Sequence, residues 1–369
     1  MAFDKKLSQR ERLFLRLVHI SVSNGDSLGT IPTTSDWEYM FREAQQQALS
    51  GVLFSAVERL PPVERPPRHV LLSWYAFAER VKQANAVLDS EAVQVMKYLE
   101  GKGLPAILLK GQGVARLYPE PSMRQPGDID VWVIAERGVT MKLAKSLNEL
   151  APETLLHTEL ALGGKTTVEA HFMPSYSYNP WRHRVMQRLF ASFKAEALVC
   201  KVTLGEVGMV SVPTPAMNRV YLLCHLYRHL FDEGVGLRQL MDYYYCLRQG
   251  LTESEARETR DVVKRLGMAR FASAVLWVLV KLLDLPESYC FLPPAAGQGS
   301  RFLSEVMDAG NFGRKRIPEI GNIQENKIDK FWRKTRRNWH FLRDYPDEVL
   351  FDVPFRLWHY AWRQWRRWH

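Results

Sequence analysis

The sequence predicts an α+β protein in which a small mixed sheet is framed by helical regions at both ends of the chain. Three observations carry that expectation. Apolar residues recur at helical spacing through residues 1–100, short strand-like runs occupy the stretch from Leu104 to Phe172, and the helical period returns from Ala216 onward. The division expected is a helical region over 1–100, a mixed core over 101–215 and a helical domain over 216–369. A chain of 369 residues has room for two or three such units.

The elements follow in order. Ser35-Asp-Trp-Glu38 has the form of a capping box ahead of WEYMFREAQQQALSGVLFSAVERL. After the proline-rich break PPVERPPRH, the run WYAFAERVKQANAVLDSEAVQVMKYLEGKG resumes helical spacing and ends on glycines. LPAILL and DIDVWVI are short, rich in Ile, Val and Leu, and bounded by Gly or Pro, as strands are. GQGVARLYPEPSMRQPG between them gives a short helix and a polar turn. KLAKSLNEL predicts a helix, TTVEAHF a third strand, and KVTLGEVGMVSVPTP further strand and turn. MNRVYLLCHLYRHLF, LRQLMDYYYCLR and FASAVLWVLVKLLDL then read as helices.

Composition narrows the class. At 46% hydrophobic and 24% charged, the chain is that of an ordinary folded protein rather than a disordered one. The stretch MAFDKKLSQRERLFLRLVHISV is broken by Arg16 and lacks a small-residue cleavage site, and no apolar run reaches the roughly 18 residues a membrane span requires. Cys200, Cys224, Cys246 and Cys290 form no C-x-x-C pair and are expected to be reduced thiols, so the expected location is cytoplasmic. The net charge of +10 suits nucleotides, other polyanions or an anionic membrane surface without choosing among them.

Asp128 and Asp130 interrupt an otherwise apolar strand. Residues i and i+2 of a strand point to one face, so the two carboxylates stand side by side and repel unless a cation lies between them. Oxygen donors with open positions suit Mg²⁺ (or Mn²⁺) held together with substrate phosphates, and Glu169 in TTVEAHF is the best third acid. Gly111 lets the backbone approach a ligand, the helix that follows it offers an N-terminus that attracts anions, and Lys110 and Arg124 flank that turn as positive groups for a triphosphate. His171 shares a face with Glu169, as an orienter of the carboxylate or a phosphate contact. His225 and His229 share a helix face, but HLYRH lacks the glutamate of a zinc-protease motif, so they read as packing or nucleotide-side residues. Arg238 and Asp242, four apart, read as a helix ion pair.

Taken together, LLKG, LYPEPSMR, GDIDVWV, VEAHF and the downstream HLYRHLFDEGVGLRQLMDYY resemble the bacterial uncharacterised nucleotidyltransferase family, within the DNA polymerase beta-like nucleotidyltransferase superfamily. The resemblance covers roughly residues 85–250. It implies a nucleotidyltransferase-fold sheet with Asp128 and Asp130 as metal ligands, Glu169 as the third carboxylate and Gly111 as the turn over the phosphates. Gln112 stands where the superfamily usually has serine, so that either Gln112 replaces the hydroxyl or the backbone alone suffices. The activity implied is transfer of a nucleoside monophosphate from a nucleoside triphosphate to an acceptor, with release of pyrophosphate; the acceptor is a small molecule, peptide, protein or RNA. The alternatives are a nucleotide-binding or interaction module without turnover, and a nucleic-acid-binding protein using the positive charge.

The carboxy-terminal stretch FDVPFRLWHYAWRQWRRWH places Phe351, Phe355, Trp358, Trp362 and Trp365 on one helix face and Arg356, Arg363 and Arg367 on the opposite one. The favoured expectation is a helix docked internally by that stripe, with Trp358, Trp362 and Trp365 buried. An interfacial helix on a membrane surface is the rival, and RNA stacking a weaker third.

Overall fold

The computed structural model describes residues 7–311, 313 and 327–368, excepting the side chains of 327–330, 367 and 368. Four helices come first: α1 (Gln9–Val22), α2 (Thr34–Gln46), α3 (Ser50–Arg59) and α4 (Arg68–Gly101). β1 (Ala106–Leu108) leads through α5 (Gly111–Ala115) and a 3-10 turn at Pro121–Met123 into β2 (Ile129–Val133). Then come α6 (Arg137–Leu147), β3 (His157–Glu159), β4 (Val168–His171) and α7 (Pro180–Val199). The hairpin β5 (Lys201–Leu204) and β6 (Gly208–Ser211) precedes α8 (Pro215–Asp232), α9 (Leu237–Leu247), α10 (Glu253–Arg265), α11 (Ala269–Leu283) and α12 (Ala296–Ala309). The chain closes with α13 (Lys327–Trp339) and α14 (Pro346–Trp368).

The fold is α+β, mostly helical, with a four-stranded mixed sheet in the order β1-β2-β4-β3. β2 runs parallel to β4, with Asp130 opposite Glu169, while β1 and β3 are antiparallel to their neighbours. Alternation sorts the sheet residues onto two sides. Ile129, Val131, Val133, Val168 and Ala170 join a core completed by the second half of α4 and the β5–β6 hairpin. Ile107 and Trp132, on the other side, join the larger helical core. Asp130, Glu169 and His171 share that second side, which is why acids can interrupt an apolar strand without entering the sheet's own core.

At 34 residues, α4 is long enough to serve both cores: Val70, Trp74 and Ala78 pack in the larger, Leu88, Ala92 and Leu99 in the smaller. Helices from both ends of the chain share the larger core, from Phe14 and Trp37 to Phe271 and Phe302. Gln47 ties them together, accepting from the Leu237 amide (2.9 Å) and donating to the Val306 carbonyl (3.3 Å).

Two local expectations are corrected. The capping box of α2 is Thr33 with Asp36, two residues before the one expected from Ser35 and Glu38. Both pairs have the right spacing, but Ser35 already lies inside the helix, where its hydroxyl takes a bond from Arg10. The second correction concerns α14, whose aromatic stripe is split lengthwise. Phe355 stacks on Tyr176 (5.4 Å between centroids), Phe351 meets Trp181, and Trp362 lies 5.4 Å from the Arg137 guanidinium. Trp358 and Trp365 are instead 51% and 55% exposed, beside exposed Leu350 and Leu357. The cause is the polar anchoring of the helix: Asp352 accepts from Asn338 (2.8 Å) and Arg366 pairs with Glu153 (2.9 Å), turning a face centred between Phe355 and His359 inward. The side chain of Arg367 lies outside the described residues. No described helix is long and apolar enough to cross a membrane.

Candidate active site

The chain leaves β1 through a sharp turn. Lys110 (φ +22°) and Gly111 (φ +50°) both take left-handed backbone, which costs glycine little. That turn folds the Lys110 ammonium back to 3.0 Å from Asp130 Oδ1. The loop leading to β2 is held from below. Asn85 of α4 donates to the carbonyls of Ser122 and Arg124 (2.7 Å each), and Gly51 of α3 lets Met123 approach so closely that a Cβ there would sit 2.3 Å from its carbonyl oxygen. Arg124 itself is buried in a bidentate pair with Asp242 of α9, at 2.7 and 2.8 Å, and the Tyr118 hydroxyl donates to the same carboxylate.

These supports shape a cleft of about 260 Å³ whose wall includes Lys110, Gly111, Asp128, Asp130, His225 and Arg238. Asp128 stands at the mouth, open to solvent on one side and crowded by the cleft wall on the other. Burial raises its carboxyl above the usual range, and the like charges of Asp130 and Glu169 add to the rise. Asp130 is buried beside it and behaves oppositely. Burial pushes it up, but Lys110 and the hydrogen bond to His171 outweigh that and hold it well below the usual range.

Behind Asp130, away from the cleft, His171 Nε2 lies 3.0 Å from Asp130 Oδ1 and 3.3 Å from Glu169 Oε2. Burial lowers the His171 pKa, yet its two carboxylate partners prevail and raise it above that of an ordinary histidine. His157 of β3 completes the group, with Nδ1 3.3 Å from the same Glu169 oxygen.

The structure thus gathers Lys110, Gly111, Asp128 and Asp130 around one cleft, with Glu169 and His171 behind. It corrects three readings. Arg124 is no clamp for a triphosphate: leaving its pair would strand the buried Asp242 carboxylate. Gln112 points the other way, donating to Asp89 of α4 at 2.5 Å, so it does not replace a serine hydroxyl over the phosphates. α5 is five residues long, too short to act as a helix N-terminus for anions, so the turn offers close backbone approach instead. Arg238 is the cation that sequence spacing misassigned. It reaches the cleft, donates to the Gln125 carbonyl at 3.3 Å, and pulls on Asp128, while Asp242 goes to Arg124. His225 also lines the cleft, and burial together with Lys110, His229 and Arg238 drives its pKa well below the ordinary value.

The donors suit a hard divalent cation. Asp128 and Asp130 offer oxygens to the cleft, and the crowding that raises Asp128 is what a cation there would relieve, so Mg²⁺ or Mn²⁺ fits these residues.

A small mixed sheet with paired carboxylates beside a cleft of mixed charge is consistent with a nucleotidyltransferase-like fold. A family model described as uncharacterised nucleotidyltransferase matches residues 33–284, and the chain belongs to that family. Among solved structures, an antigenic nucleotidyltransferase-like protein from Paracoccidioides brasiliensis is similar at 14% identity over 60% of this chain and 96% of its own, with a TM-score of 0.34. No curated protein matches the chain.

Proposed function

We propose that the protein transfers a nucleoside monophosphate from a nucleoside triphosphate to an acceptor hydroxyl, with Asp128 and Asp130 holding Mg²⁺ or Mn²⁺ in the cleft. The observation that carries this reading is the pairing of an unbalanced carboxylate, Asp128, with the balanced Asp130 in a cleft also lined by Lys110 and Arg238. Membership of the family and the resemblance to the polymerase beta-like superfamily support it. A cation bound there supplies neutralisation of the phosphate charge and a Lewis acid for the reacting oxygens.

The chain's own residues do the rest. Lys110 and Arg238 bind the triphosphate, and the Gly111 turn lets the backbone approach it. Asp130 is fixed by Lys110 and His171, so its oxygens are oriented before substrate arrives. The acceptor oxygen bonds to the α-phosphorus, the bond from that phosphorus to the β-phosphate oxygen breaks, and pyrophosphate leaves. The acceptor's proton is relayed through water to Glu169, which stands behind Asp130. Catalysis of this kind rests on positioning and charge rather than on a covalent intermediate.

The test is a screen of the four nucleoside triphosphates with Mg²⁺ or Mn²⁺ against a metabolite extract, read as pyrophosphate release. Binding of a non-hydrolysable triphosphate to wild type and to Asp130→Asn is measured alongside. Absence of both pyrophosphate release and metal-dependent binding in every combination would refute the reading.

A further inference from the structure

His157, Glu169 and His171 stand together on the β3–β4 edge of the sheet, across Asp130 from the cleft. One donor atom from each lies within 4.8 Å of the other two. Register explains the convergence. His157 faces His171 directly across the antiparallel pair, and Glu169 precedes His171 by two residues on the same face. Glu169 Oε2 is 3.3 Å from both His157 Nδ1 and His171 Nε2, and Asp130 Oδ1 adds a further oxygen 3.0 Å from His171 Nε2.

We infer that His157, Glu169 and His171 form a binding site for a first-row transition ion, Zn²⁺ or Mn²⁺, with Asp130 as an additional donor. Two imidazoles and a carboxylate are a donor set that such ions take with an open position left for water or substrate, whereas Mg²⁺ prefers oxygen alone. Hydrogen bonding does not account for the two imidazoles: His171 Nε2 meets Asp130 and Glu169 but its Nδ1 is buried without a partner, and His157 Nδ1 is buried 3.3 Å from Glu169 without forming a hydrogen bond. His171 is 2% exposed and anchors the site, while His157 and Glu169 are only part-buried and leave the ion a way in.

The inference deepens the proposed function, and it rests on that reading for the ion's role beside the phosphates but not for its binding. The full chain, stripped with a chelator, is titrated with Co²⁺ as a spectroscopic probe, then with Zn²⁺ and Mn²⁺ in competition and Mg²⁺ in parallel. Expected are saturable visible Co²⁺ bands, displaced by Zn²⁺ and not by Mg²⁺. His157→Ala weakens binding about 10-fold or more with an unchanged far-UV spectrum, and Asp128→Asn retains the bands. Absence of the bands in wild type, or wild-type affinity in His157→Ala, overturns the site. The two readings fail separately. Co²⁺ bands without triphosphate binding support the metal site and refute transfer, and triphosphate binding without bands refutes the metal site alone.

Discussion

Two regions of this molecule bury charge, and they do so differently. Where α14 meets α8, Arg228 donates to Glu348 (2.5 Å) and reaches Asp232 (3.4 Å). The Tyr178 amide and Ser177 hydroxyl fill the Glu348 oxygens, and the Tyr178 hydroxyl donates to Asp232 at 2.6 Å. Glu348 and Asp232 are both answered, while burial leaves neighbouring Asp352 of α14 raised. In the cleft, Lys110 and His171 answer Asp130, but Asp128 is left facing like charges. Burial pushes Asp232, Asp130 and Asp128 in the same direction, so the net sign reveals whether partners outweigh it. Asp232 is drawn down to about 2 and Asp130 falls well below the usual range, whereas Asp128 is raised. The paired network ties helices together; the cleft leaves Asp128 with uncompensated like-charge repulsion.

Breaking the paired network should have the largest effect. Glu348→Ala leaves Arg228 buried without its main partner and is expected to cost about 3–5 kcal/mol in urea unfolding. Triphosphate binding, measured where the variant remains folded, should be little changed. In the cleft the consequences reverse. Asp128→Asn is expected to lower pyrophosphate release at least about 100-fold, since a carboxamide keeps the shape and loses the charge that holds a cation. Its stability should stay within about 0.5 kcal/mol of wild type, because the residue lies at the cleft mouth and shedding like-charge repulsion opposes any loss. If Asp128→Asn destabilised as much as Glu348→Ala, the two regions would not differ in kind.

The pH dependence sharpens the same contrast. Asp232 has a folded pKa of about 2, below its unfolded value, so the stability it contributes is present above roughly pH 4 and is lost as pH falls toward 2. Asp232→Asn should flatten that part of the acid-unfolding curve. Asp128 has a folded pKa raised above its unfolded value, so its ionisation opposes folding as pH rises through that interval. Asp128→Asn should therefore gain slightly on wild type above pH 4 and match it below. Identical shifts in the two variants would remove the distinction.

Much of this was legible in the sequence where the governing contacts are local. The period-two alternation of DIDVWVI put Asp128 and Asp130 on one face and the aliphatic residues on the other, and strand pairing added Glu169. What stayed hidden depends on partners distant in sequence. β3 is three residues with no aliphatic side chain, so nothing local marked His157, and only register brings it opposite His171. The Arg238–Asp242 spacing favoured a helix pair, yet Arg124, 118 positions away, arrives with bidentate geometry and takes the carboxylate. Gln112 follows a strand-turn whose exit direction no propensity encodes. α7 went unrecognised because Met186, Phe190 and Ala197 are its only buried residues, too sparse a stripe to read.

The smallest effect is expected along α14, where the aromatic stripe is divided between two environments. Phe355 packs on Tyr176 and Tyr178, with centroids 5.4 and 4.7 Å away, so Phe355→Ala should lose apolar burial and ring contacts worth about 2 kcal/mol. Trp358, one turn along and half exposed, touches mainly its helix neighbours, stacking on Trp362 at 6.3 Å. Such contacts persist in an isolated helix and do little to hold it against the body. Trp358→Ala should therefore change the urea midpoint by less than about 0.5 kcal/mol in free-energy terms. A cost for Trp358→Ala equal to that of Phe355→Ala would mean that the helix docks by the stripe centred on its tryptophans. A difference of the expected size places the boundary between docked and solvent faces along the line separating Phe355 and Trp362 from Trp358 and Trp365.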